Sequence, residues 1–138
     1  DRKKKTYFPD ELFYNLYNGK IMNPNGEGYI QVDAPLESLP IFIRAGFITP
    51  VQDTVGITMV NQLRNRPFEV IIALDSNFRA AGRIFFDDGV SDRTAVDKDY
   101  YRMDITANMK EGTKTFEIIF KYFDYNFDKS IYLLHRRR

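Results

Sequence analysis

The feature that most constrains this chain is a two-residue alternation of apolar and polar side chains, cut at short intervals by turn-forming residues. Successive side chains of a strand point to opposite faces, so a period of two builds one apolar face. Phe68, Val70, Ile72 and Leu74 share such a face. Tyr101, Met103, Ile105 and Ala107 form another, with Arg102, Asp104 and Thr106 pointing the other way. A third comprises Phe116, Ile118, Phe120 and Tyr122, opposite Glu117, Ile119 and Lys121. Shorter runs lie at 13–17, 29–32, 41–43, 83–86 and 131–134. Turn chemistry separates them at Asn18-Gly19, Pro24-Asn25-Gly26, Asp75-Ser76-Asn77, Asp87-Asp88-Gly89 and Glu111-Gly112.

No segment carries a sustained helical stripe; residues 10–17 fit one amphipathic turn or a strand equally well. The links between runs are too short for crossover helices, so pairing is antiparallel and the expected fold is an all-β sandwich. Residues 51–66 are of mixed polarity, lack a period and end at Pro67. They read as a connector between a first β unit over 1–50 and a second over 67–138.

Composition removes much chemistry. The 138 residues are 43% hydrophobic, with 12 Phe and 9 Tyr, enough to supply a core. With no Cys, disulfides, thiolate metal sites and a Cys nucleophile are excluded. The single histidine, His135, lies beside Arg136, Arg137 and Arg138, so a His-pair metal site is excluded and a Ser-His-Asp triad is disfavoured. A net charge of +1 selects neither nucleic acid nor an anionic membrane. No window approaches the roughly 18 apolar residues of a membrane helix. The start at Asp1, within a basic run and without Met or an apolar leader, fits a processed product or a piece of a longer chain, with the latter taken seriously. No cofactor is implied, and no Asn-x-Ser/Thr acceptor hints at a compartment.

Four constellations merit a functional and a structural reading. Asp87-Asp88-Gly89 with Asp92 reads as an acid/base pair, as a calcium site, or as a tight turn in which Asp bonds its own backbone and Gly89 takes positive φ. Neighbouring strand residues face apart and the oxygen series is too short for an EF-hand, which favours the turn. Arg44-Ala45-Gly46 reads as a carboxylate or phosphate contact, or as a buried guanidinium fork fixing a loop with Gly46 permitting the bend; the fork is favoured. Tyr7, Phe8, Phe13, Tyr14, Tyr17, Tyr100 and Tyr101 read as an exposed sugar-stacking platform or as core and seam rings, with core favoured. The basic residues Arg2, Lys3, Lys4 and Lys5 and the C-terminal arginines read as solvated ends rather than a nucleic-acid arm.

The order of several motifs resembles the C-terminal region of glycoside hydrolase family 31, the family of α-glucosidases of the maltase, sucrase-isomaltase and lysosomal type. Phe13-Tyr14-Asn15-Leu16-Tyr17-Asn18-Gly19 is similar to the aromatic segment that follows the family's catalytic barrel. Asp33-Ala34-Pro35-Leu36, then Leu39-Pro40-Ile41-Phe42-Ile43-Arg44-Ala45-Gly46 and Ile48-Thr49-Pro50, resemble its next passage. Gln52 and residues 67–75 resemble the link and first strand of a distal domain, and Gly82-Arg83-Ile84-Phe85-Phe86-Asp87-Asp88-Gly89 its hairpin. The blocks span residues 7–105 in order. Phe13 stands where the family's aromatic segment opens with Trp, and Val90 where Glu or Gln follows the Asp-Asp-Gly turn.

The resemblance implies a proximal C-terminal sandwich plus part of a distal one, whose partner is the catalytic (β/α)8 barrel. The whole protein would hydrolyse terminal α-linked glucose with retention, using two barrel carboxylates. Neither barrel motif occurs in this sequence, so no catalytic, cofactor or metal residue carries over. Arg44, Gly46, Asp87, Asp88 and Gly89 are expected to be structural. The secretory pathway or lysosome is suggested by resemblance only. Two other readings stay open: a free-standing carbohydrate-binding module for α-glucan, and a purely structural interaction domain.

Overall fold

A computed structural model describes residues 2–23, 25–92, 96, 100–109 and 115–125, the side chains of 122–125 excepted. Several expectations therefore lie outside the described residues: the run at 131–134, His135 and the arginines after it, the Glu111-Gly112 turn, and Pro24 of its turn. The described residues form strands joined by turns and loops, with a 3-10 turn over Val60–Asn65. The fold is all-β. Two compact units divide the chain, one from Asp1–Phe47 with Ala73–Ala80, the other from Ile48–Ile72 with Ala81–Arg138.

The first unit is built on two antiparallel ribbons. Strand β1 (Lys3–Phe8) pairs with β3 (Gly28–Asp33), placing Lys3 opposite Asp33 and Phe8 opposite Gly28. Alternation leaves Lys3, Lys5 and Tyr7 outside and turns Phe8 and Val32 inward, where both are buried. β1 was expected to be a solvated basic end. Its lysines are solvated, but Lys3 and Lys5 stand on the outer face of a strand whose inner face holds Phe8. Strand β2 (Phe13–Asn15) pairs with β4 (Phe42–Arg44), and Tyr14 bridges Ile21. The Phe8 ring meets Phe13 at 5.3 Å and Phe42 at 5.1 Å, both edge-on, the favoured aromatic geometry. These rings hold the ribbons together.

The second unit contains a five-stranded sheet. Strands β5 (Phe47–Val51), β6 (Glu69–Ala73), β7 (Arg79–Asp87), β8 (Tyr100–Met109) and β9 (Phe116–Tyr125) run in the order β6-β5-β7-β8-β9. β8 and β9 are antiparallel with Met103 opposite Tyr122, Ile105 opposite Phe120 and Ala107 opposite Ile118. The two apolar faces read from alternation thus coincide across one ladder. Tyr101, Met103, Ile105 and Ala107 are buried, as is Ile84 of β7. Burying side chains such as Met103, Ile105 and Ile84 contributes roughly 1.5–3 kcal/mol each, so the core sits under β7 and β8. Within 51–66, the Gln52 side-chain amide donates to the carbonyls of Leu63 and Arg66, both at 2.9 Å, closing the 3-10 turn back onto the end of β5.

Candidate functional site

The densest carboxylate group stands where β7 ends. Asp87 Oδ1 accepts the Gly89 N–H at 2.9 Å. Asp88 Oδ1 accepts the N–H groups of Val90 and Ser91 at 3.1 and 3.0 Å, and the Ser91 hydroxyl donates to Oδ2. Each acid caps the backbone of its own turn. The Ser91 hydroxyl first, then the Ser91 and Val90 amides and the Arg64 charge, hold the Asp88 carboxyl down at about 2. Gly89 has φ +71°, the left-handed conformation in which a side chain is strained. A Cβ there would also meet Arg64 Nη1 at 2.9 Å.

Arg64 is the residue that sequence reasoning missed. It comes from the 3-10 turn in the presumed connector, donates to the Asp87 carbonyl, and lies 4.6 Å over the Phe86 ring. Its signal was absent because a lone arginine in an aperiodic stretch looks like any surface charge. Chemically, the constellation is a braced hairpin. An acid/base pair needs one carboxyl raised towards the working pH, whereas Asp88 is moved the other way. Asp104, flanked by Arg102 and then Arg83, is likewise held at about 2. Among the described residues no cluster of three acidic or histidine side chains is arranged to hold a metal ion.

In the first unit the Arg44 guanidinium forks onto the Glu11 carboxylate through Nε and Nη2. The side chains are 52% and 40% exposed, so the fork is a surface one rather than the buried one expected, and such pairs are worth about 0–1 kcal/mol. Gly46 has φ +83° and donates its N–H to the Ala73 carbonyl at 2.7 Å. Tyr14 OH donates to the Leu74 carbonyl at 2.8 Å and Tyr17 OH to the Leu39 carbonyl at 2.7 Å.

The rings grouped as a platform do not stay together. Phe8 and Tyr101 are buried, in line with the favoured core reading, because each falls on the inward register of its strand. Tyr7 and Tyr29 remain outside, 5.3 Å apart and tilted by 58°, with Lys5 Nζ over the Tyr29 ring at 4.6 Å. A second residue missed by sequence reasoning is Asn23, 1% exposed and the buried polar group of the first unit. Its Oδ1 accepts the Phe13 N–H at 2.9 Å, and its Nδ2 donates to the carbonyls of Glu11 and of Pro9, the latter at 3.2 Å. Asn23 therefore fixes the segment that carries Glu11 and starts β2.

The described residues thus form an all-β region in two units, and known proteins share its sequence and its fold. Residues 1–49 match the Glycosyl hydrolase family 31 C-terminal domain. A "Probable alpha/beta-glucosidase" of Arthroderma benhamiae is 35% identical over 88 residues, 63% of this chain and 10% of that protein. An uncharacterized family 31 glucosidase of Schizosaccharomyces pombe is 36% identical over 85 residues, 62% of this chain and 8% of the relative. The chain thus spans about a tenth of the length of the curated relatives it matches. A chain of an ER glucosidase II heterodimeric complex shares the fold with a TM-score of 0.73 at 20% identity, over 94% of this chain and 13% of that one. The glucosidase II alpha subunit alone gives 0.71 at 19%, over 78% and 12%. Residues 1–49 thus carry the family 31 C-terminal domain match, and the chain resembles the β-rich C-terminal region of family 31 glucosidases.

Proposed function

We propose that this chain is a non-catalytic support for the catalytic barrel of an α-glucosidase-type glycoside hydrolase, and that the whole protein hydrolyses O-glycosyl bonds of α-glucosides with carboxylates supplied elsewhere. The observation that carries the reading is the Asp-Asp-Gly turn. Both of its carboxylates accept hydrogen bonds from their own backbone, and Asp88 is held at about 2, away from the range of a proton donor to a glycosidic oxygen. Arg44, Gly46, Asp87, Asp88 and Gly89 are structural in this proposal. Residues 1–50 supply the proximal portion and 67–138 the distal one, joined by 51–66, with residues 73–80 assigned to the first unit. Purified 138-residue protein is expected to release no p-nitrophenol from p-nitrophenyl α-glucoside. Turnover that disappears in Asp87→Asn or Asp88→Asn would overturn the proposal.

A second reading, an α-glucan-binding module, draws on the exposure of Tyr7, Tyr17 and Tyr29 at 47%, 57% and 65%. It is the weaker of the two, because Lys5 covers one face of Tyr29 and the Tyr7 and Tyr29 rings are not coplanar. Saturable heat on titrating maltoheptaose, lost in Tyr29→Ala, would establish it.

A further inference from the structure

Resting on the supporting role just proposed, we infer that the loop between β3 and β4 is the surface by which the first unit docks on the catalytic domain of a family 31 hydrolase. Leu36 and Leu39 are 103% and 70% exposed, followed by Ile41 at 37%, and Tyr17 at 57% lies beside them. A free side chain does not explain this arrangement, because the loop is anchored along its length. Ala34 N–H donates to the Arg2 carbonyl at 2.8 Å, Ser38 N–H to the Pro35 carbonyl at 3.1 Å, and Leu16 N–H to the Ile41 carbonyl at 2.9 Å. The Tyr17 hydroxyl fixes the Leu39 carbonyl, and Pro35 and Pro40 stiffen the flanks. A leucine held fully exposed on a pinned loop has already lost the backbone freedom that docking would otherwise remove, which is how a pre-organised contact gains affinity.

The occupant follows from where the loop lies and from the size of the relatives. The loop falls within residues 1–49, the part matched to the family's C-terminal domain. The relatives that share this sequence are about ten times as long as the aligned stretch, so in them a large body of protein accompanies it. Leu36, Leu39 and Ile41, exposed on a pinned loop, fit an apolar patch on that body, with Glu37 and Ser38 between them left to the polar rim such a patch usually has.

The test grafts the whole 138-residue chain in place of the matched region of the Arthroderma benhamiae glucosidase and reads hydrolysis of p-nitrophenyl α-glucoside and thermal inactivation. Leu36→Glu with Leu39→Glu is expected to lower the activity of the graft at least tenfold, while Lys3→Ser, on the outer face of the β1–β3 ribbon, leaves it unchanged. The same double variant in the isolated chain is expected to melt within about 2 °C of wild type, as exposed substitutions do. An active graft indifferent to Leu36→Glu and Leu39→Glu overturns the docking surface and leaves the supporting role standing. A graft inactive with the native loop, where the unaltered relative is active, overturns the supporting role and the docking surface with it. Unfolding of the isolated double variant would show that the leucines pack within this chain and overturns the inference directly.

Discussion

Replacing Asn23 tests whether one buried amide organises the first unit. Asn23→Ala removes the acceptor of the Phe13 N–H and the donor to the Glu11 and Pro9 carbonyls, at a site that is 1% exposed. A buried group left without a partner costs about 1–3 kcal/mol, and water entering the small gap would relieve part of the loss. The expected destabilisation is about 3 kcal/mol, or a fall in melting temperature of roughly 10 °C for a chain of this size. Asn23→Leu separates the causes. It restores volume without hydrogen bonds, so it should cost as much as alanine if the bonds matter and much less if packing does. Asn23→Asp keeps the acceptor for Phe13 but turns a carboxylate towards two carbonyls. Its carboxyl would be raised in the folded state, so its stability should be greatest below the ordinary carboxylate range and decline as pH rises through the raised value. Urea unfolding gives the energies, and amide exchange at Phe13 reports the site itself. If alanine and leucine both fall within about 0.5 kcal/mol of wild type, the reasoning is wrong.

Two further outcomes follow from the second unit. Gly82→Ala should destabilise by about 3 kcal/mol or more, because a Cβ there would lie 2.3 Å from the Ile48 carbonyl oxygen and 3.0 Å from its carbon, backbone that cannot swing aside; an unchanged urea midpoint would refute it. Asp88 should titrate by NMR with a midpoint of about 2, moving towards the ordinary carboxylate value in Ser91→Ala. Since its folded value is depressed, the stability it adds is present above the ordinary value near 4 and is lost as pH falls towards 2, and a midpoint near 4 in the native chain would contradict the hydrogen-bonded turn.

The sequence was most readable where the two faces of a strand differ sharply. Met103, Ile105 and Ala107 alternate with Arg102, Asp104 and Thr106, and burial follows that alternation along β8. β1 was hidden because its lysines share a run with the one deeply buried side chain, Phe8, so the apolar face amounts to little more than one ring. β5 was hidden by Pro50, a residue that usually argues against a strand inside a sheet. At the candidate sites, local chemistry such as Asp-Asp-Gly announces itself within a few residues. Arg64 and Asn23 do not, since the groups they bind, the carbonyls of Asp87 and Glu11, are defined only by the folded chain.

The division of the chain into units carries a consequence for anyone who would cut it. The first unit takes Asp1–Phe47 and then reclaims Ala73–Ala80 from the middle of the second. Tyr14 and Gly46 spend their donors on Leu74 and Ala73, carbonyls that a gene ending after codon 47 would not encode. No single stop codon or new start releases either unit whole. Recombination can therefore move the pair between proteins more readily than either member, and a minimal expression design for the first unit has to splice residue 47 to residue 73 with a new linker.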